Sequence, residues 1–135
     1  MAAKDKALAT AICEAIKEYD DSLILLALAN SEMILAAKDM GLAYANEVFA
    51  DRAYEPDGTL VARTKPGAMI KEEDQAIARV VRMVKEGKVT AIDGSEVDIQ
   101  ADSVCVHGDG EKALLFVKKI REALLAENIT VQRLG

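Results

Sequence analysis

At 135 residues, 51% apolar and 30% charged, the chain has the size of one domain with a single core, and it contains no run of about 18 uncharged apolar residues that could cross a bilayer. A formal charge of −6 leaves no basic face to neutralise phosphates, which excludes nucleic acid as a partner. Cys13 and Cys105 stand far apart inside apolar patterns, without the CxxC or Cys/His spacing of a zinc site. Both read as buried reduced thiols, the usage of a cytoplasmic protein. The opening "MAAKDKALATAICEAIKEYD" interrupts with acids what would have to be a continuous apolar signal core, so no export signal is read there.

In chain order, Leu8, Ile12, Ala15, Ile16 and Tyr19 recur at the spacing of one helix face, predicting a first helix from Asp5 to Tyr19. "DSLILLALAN" predicts a short parallel strand buried on both faces and ended by Asn30. "SEMILAAKDMG" follows as a helix, with Asn30 or Ser31 as its N-cap and Gly41 as its stop. "LAYANEVFADR" is the next strand. "AYEPDGTLVARTKPGAMI" breaks every period and holds both prolines, which predicts a long functional or mobile loop. "KEEDQAIARVVRMVKEG" restores the helical period through Ile77, Val80, Val81 and Val84, and Gly87 closes it. "KVTAIDGSEVDIQ" sets alternating runs around Asp93-Gly94 and predicts a β-hairpin. "SVCVH" is another buried strand, "GEKALLFVKKIREALLAEN" a last helix with Ala113, Val117, Ile120 and Leu124 on one face, and "ITVQRL" a final short strand. The alternation predicts an α/β fold with parallel strands.

Parallel α/β folds gather their sites at the carboxyl ends of strands, where helix N-termini converge. Here those ends carry Asn30, then Glu47 with Asp51 and Arg52, then His107 with Gly108 and Asp109. His107 is the only histidine of the chain, and a strand that releases it with an Asp into a glycine-bounded turn offers a proton carrier, a carboxylate and backbone N–H groups together. His107 also reads as a turn residue bonded to backbone, and Asp109 as the cap of the helix opening near Gly110. Glu47 interrupts an apolar strand, where an ionised group needs a task or a partner such as Arg52 or Arg63. On their own, Tyr54, Arg63 and Lys65 read as solvated loop residues, and "GDG" is too short for a phosphate loop.

Two blocks, "NEVFADRAYEPDGTLVARTKPGAMI" and "GKVTAIDGSEVDIQADSVCVHGDG", resemble the LamB/YcsF family, which supplies the A subunit of prokaryotic ATP-dependent 5-oxoprolinase. The resemblance covers essentially the whole chain. Family members are nearly twice as long, with an Asn-Asp-Gly-rich opening motif and further histidine motifs that have no counterpart here. The resemblance therefore implies that residues 1–135 form one domain equivalent to the C-terminal half of the family's fold, from a truncated or split reading frame. It implies a partial irregular β/α barrel related to sugar deacetylases, and an amide-bond hydrolase that opens the lactam of 5-oxo-L-proline to L-glutamate with ATP as co-substrate. It implies subunits B and C as partners, joined by a separate N-terminal half or a second copy of the chain, and it names no metal. Carried over by motif, His107, Asp109 and Glu47 would be catalytic, while Asp51, Arg52, Tyr54, Arg63 and Gly67 would bind substrate, joined by Asn30 from its place at the end of the first strand. The alternative from a different class is a non-catalytic α/β remnant that self-associates or binds a small carboxylic acid.

Overall fold

A computed structural model describes residues 5–106 and 110–132. The elements run α1 (Lys6–Tyr19), β1 (Ile24–Leu28), α2 (Glu32–Asp39), β2 (Ala43–Phe49), α3 (Glu73–Glu86), β3 (Lys88–Thr90), β4 (Glu96–Asp98), β5 (Ser103–Cys105) and α4 (Gly110–Ala126). Asp5 starts α1 by accepting the Leu8 N–H at 3.1 Å, one of the donors a helix leaves unpaired at its first turn. Gly87 stops α3 in a left-handed conformation at φ 68°, where a side chain would be strained. The β3–β4 hairpin turns at Gly94, φ 91°, and the Asp93 carboxylate accepts the Ser95 N–H at 2.9 Å. These features stand where the sequence predicts them.

β1, β2 and β5 form a three-stranded parallel sheet in that order, and the hairpin is a separate two-stranded sheet. Strand alternation and register assign the faces. Leu25, Ala27, Val48 and Val104 share one face. There Val48, Ala50 and Ala29 pack with Val80 and Met83 of α3, Ile120 and Leu124 of α4, and the hairpin. Leu25 packs with Ala9 and Cys13 of α1 and Ala36 and Ala37 of α2. Every helix thus covers the same face. The opposite face carries Ile24, Leu26, Leu28, Glu47, Phe49, Ser103 and Cys105, and among the described residues no helix packs on it.

Several expectations change accordingly, among them that β5 and its Cys105 are half-buried and not buried. β1 is not buried on both faces: Leu26 is 43% exposed, because the helices cover only one side of the sheet. The segment after β2 is no open loop. Its backbone doubles back through the bridges Arg52–Met69 and Tyr54–Leu60, and Ala53, Val61 and Ala68 make a small core of its own. Residues 129–132 form no strand; Ile129 instead donates its N–H to the Leu124 carbonyl at 2.9 Å and packs on the core, as Asn128 at φ 62° turns the chain out of α4.

Candidate functional site

The carboxyl end of β2 lies between β1 and β5, with Glu47 in register with Leu28 on one side and Ser103 on the other, and Phe49 opposite Cys105. Backbone bonds lock this end into the sheet: Ala29 N–H to the Glu47 carbonyl at 2.9 Å and Ala50 N–H to the Cys105 carbonyl at 3.1 Å. The half-buried Glu47 thus stands on the bare face between Leu28 and Ser103. It is paired with neither Arg52 nor Arg63 among the described residues, contrary to the pairing weighed from sequence. The reason is local. The Arg52 guanidinium donates from Nη2 to the Val61 carbonyl at 2.8 Å and lies 5.9 Å from the centroid of the Phe49 ring, while its buried Nε–H has no partner among the described residues.

Arg79, on α3, reaches the same segment from the helix side. Its Nη1 donates to the Ala50 carbonyl at 2.9 Å and its Nη2 to the Arg52 carbonyl at 2.8 Å. Tyr54 is fully buried, not a solvated loop residue, and its hydroxyl accepts the Phe49 N–H at 3.1 Å. The electrostatics reflect how tightly these groups sit. Burial pushes the Cys105 thiol up, and the negative charges of Glu47 and Asp51 push it further. Burial lowers Arg79, an effect that Tyr54 and Asp51 oppose. Burial also raises the Tyr54 phenol, against the lowering influence of the Phe49 N–H, Arg79 and Arg52 and with a further rise from Glu47.

The Tyr54 shift has a sign that can be measured. A phenol whose folded pKa lies above its unfolded value contributes stability that is present below about pH 10 and is lost as pH climbs through the raised value. Denaturant unfolding between neutral and strongly alkaline pH is expected to show that decline, and Tyr54→Phe should remove part of it while costing about 1–2 kcal/mol at neutral pH through the unpaired Phe49 N–H. An unchanged alkaline slope in the variant would contradict the assignment.

The structure brings Glu47, Asp51 and Arg52 together at one strand end and sets Tyr54 beneath them. It turns Asn30 away. At φ 62°, Asn30 donates from Nδ2 to the Asp98 carbonyl at 3.1 Å and borders a pocket of about 440 Å³ between α2 and the hairpin, on the helix side. Arg63 and Gly67 lie exposed in the doubled-back segment, with no hydrogen bond or ion pair to Glu47, Asp51 or Arg52 among the described residues. His107 and Asp109 fall outside the described residues. Among the described residues no three of histidine, cysteine, aspartate and glutamate gather as a metal-ligand set.

Sequence reasoning passed over two features. Arg79 precedes Val80 in the inward stripe Ala76–Val80–Met83, and a cation beside that stripe was the available signal. Asn46, buried in β2, donates its backbone N–H and its Nδ2 to the Asp102 carboxylate at 2.8 and 2.9 Å. Although burial pushes the Asp102 acid up, those two donors and Gln100 hold it below its ordinary value. An amide amid apolar strand residues was the corresponding signal.

Comparison with known proteins places this geometry in a lineage. The A subunit of 5-oxoprolinase from Clostridium beijerinckii is 62% identical over 131 residues, 97% of this chain and 51% of that protein. The protein of the same name from Halalkalibacterium halodurans is 52% identical over 135 residues, covering 100% of this chain and 52% of its own length. The crystal structure of the lactam utilization protein from Thermus thermophilus superimposes with a TM-score of 0.87 at 37% identity, over 98% of this chain and 53% of that one. The chain spans about half the length of the relatives it matches. The LamB/YcsF family pattern runs through all of the elements described above, from residue 1 to residue 135, and by that match the chain belongs to the LamB/YcsF family.

Proposed function

We propose that residues 1–135 are a single domain equivalent to the C-terminal half of an irregular β/α barrel, and that in the completed barrel they act as part of the A subunit of an ATP-dependent 5-oxoprolinase in the cytoplasm. The observation that carries this reading is the bare sheet face: a barrel interior needs a sheet with all its helices on one side and a free inner surface, and here that surface bears Glu47 at the carboxyl end of the central strand. The names of the relatives supply the substrate class, a lactam, and their naming as an A subunit supports an assembly of several chains with subunits B and C.

The chemistry follows from the substrate. An unactivated lactam resists water, so ATP would transfer its terminal phosphoryl group to the lactam carbonyl oxygen, releasing ADP. Water would then add to the activated carbon, the C–N bond would break with protonation of nitrogen to leave an acyl phosphate, and a second water would hydrolyse that acyl phosphate to glutamate and inorganic phosphate. Glu47 would move a proton, with His107 or Asp109 as its counterpart. Arg52 would bind the substrate carboxylate, or a phosphate, through the fork geometry that guanidinium offers, with Asp51 setting the local charge. Tyr54 and Asn30 would act as supports of the strand ends, and Arg63 and Gly67 would close over substrate from the doubled-back segment.

The test is glutamate release by an assembly of this chain, the remaining half-length of a relative, and the partner subunits. Glu47→Gln is expected to lower kcat by about a hundredfold or more, and Arg52→Ala to raise KM for 5-oxoproline. Full activity in Glu47→Gln would remove Glu47 from the reaction.

A further inference from the structure

We propose that Arg79 is a positioning residue that clamps the carboxyl end of β2 and thereby fixes Asp51 beside Glu47 and Cys105. The proposal rests on the reading of this strand end as the reacting site, and it adds a residue to it.

The geometry is that of a two-pronged hold. The Ala50 and Arg52 carbonyls flank Asp51 in sequence, and both accept from the one guanidinium, at 2.9 and 2.8 Å. A planar group with parallel N–H donors holds two acceptors at a fixed separation, which a flexible ammonium does not. The rest of the segment is tied from other directions: Ile70 N–H to the Asp51 carbonyl at 2.7 Å, Ala53 N–H to the Ala68 carbonyl at 2.8 Å, and Phe49 N–H to the Tyr54 hydroxyl at 3.1 Å. Arg79 alone in this set comes from a helix.

The energetics argue for a task. Arg79 neighbours the buried stripe Ala76, Val80 and Met83, and burial weighs against its charge. An apolar side chain would fill such a place without that cost, and a buried cation contributes little to stability unless fully paired. What the guanidinium supplies and an apolar group cannot is control over two carbonyl groups at the point where β2 leaves the sheet. The Asp51 carboxylate, carried between those carbonyls, bears electrostatically on Arg79 on one side and on Cys105 on the other.

Cys105 is therefore a built-in reporter. Its alkylation by iodoacetamide, followed by peptide mass spectrometry on the full 135-residue chain, reads the thiolate fraction and hence the nearby charge. Asp51→Asn is expected to speed Cys105 alkylation at neutral pH by about threefold. In an Arg79→Met background the same exchange is expected to change the rate by less than about 1.5-fold, because the carboxylate is no longer held in place. Arg79→Gln, which keeps one donor and the polar character, provides the same comparison if the Met variant does not fold, and its coupling is expected to fall between the two. A folded variant, Met or Gln, in which Asp51→Asn retains its full wild-type effect would overturn the proposal, as would an Asp51→Asn exchange without effect in the wild type. The readout requires no turnover. An inactive assembly with a coupled thiol would refute the catalytic reading and leave the clamp standing, and an uncoupled thiol in an active assembly would do the reverse.

Discussion

Residues 1–135, produced as an isolated polypeptide, are expected to release no glutamate from 5-oxoproline and ATP above the uncatalysed rate. Adding the remaining half-length of a relative, together with the partner subunits, is expected to raise the rate on the order of a thousandfold or more. The magnitude follows from what the described residues bring. The bare face of β1, β2 and β5 holds one carboxylate, Glu47, with the Arg52 guanidinium over Phe49 and the Cys105 thiol raised out of its reactive form. A positioned acid–base group contributes roughly 10²–10⁴-fold, but only when substrate is held against it and water is kept out. A three-stranded sheet open on that side does neither. The chain also spans only about half the length of its relatives, and on the proposed reading the groups that would enclose a lactam and the phosphates of ATP come from elsewhere in the assembly. Coupled assay of glutamate with each component added in turn measures this directly. Turnover by the isolated polypeptide at an ordinary enzymatic rate, about 1 s⁻¹ or more, would show that the site is complete within these residues and that the half-barrel reading is wrong.

The parts of the fold that the sequence made legible are those with a strong local signal. α1 declares itself through Asp5 and the apolar repeat, α3 through its stripe and Gly87, and the hairpin through Asp93-Gly94. Glu47 was legible for a related reason, as a lone charge inside an apolar strand. What could not be read was the covering of the sheet. In "LILLALA" every position is apolar, so the period of two that would distinguish an inner from an outer face is erased, and exposed Ile24 and Leu26 look the same as half-buried Leu25 and buried Ala27. Tyr54 lies in a stretch without period, so nothing local told that its ring fills the core. Arg79 was hidden by the ordinary occurrence of arginine on helix surfaces; only the three-dimensional meeting of α3 with residues 50–52 gives it meaning. Local chemistry thus foretold where a lone carboxylate would stand, and long-range packing decided what surrounds it there.

The bare face makes a second large prediction. At micromolar concentration the 135-residue chain is expected to associate, with the remaining half of the barrel where that is supplied and with a second copy where it is not. Among the described residues β1 and β5 are both edge strands with one unpaired side, and such edges invite further strands. The apolar surface beside them is ample: Ile24 and Leu26 are 40% and 43% exposed, and a groove bordered by Val104, Val106, Val117 and Val131 runs along β5 and α4. Leu26→Asp separates this surface from the core. Because no described helix packs on that side and Leu26 is 43% exposed, the substitution should lower the unfolding free energy of the dilute chain by only about 1–1.5 kcal/mol. In an assembled barrel the same position would be covered, where losing a buried leucine and burying a carboxylate together cost about 3 kcal/mol or more, a weakening of association by at least about a hundredfold. Sedimentation or light scattering of the two proteins, with thermal unfolding alongside, reads both quantities. Association of the unsubstituted chain that Leu26→Asp abolishes at only a small cost in stability is the expected result. A chain that stays monomeric, with slow amide exchange along β1 and β5, would mean that the sheet is complete as it stands and that its bare face is a surface for water.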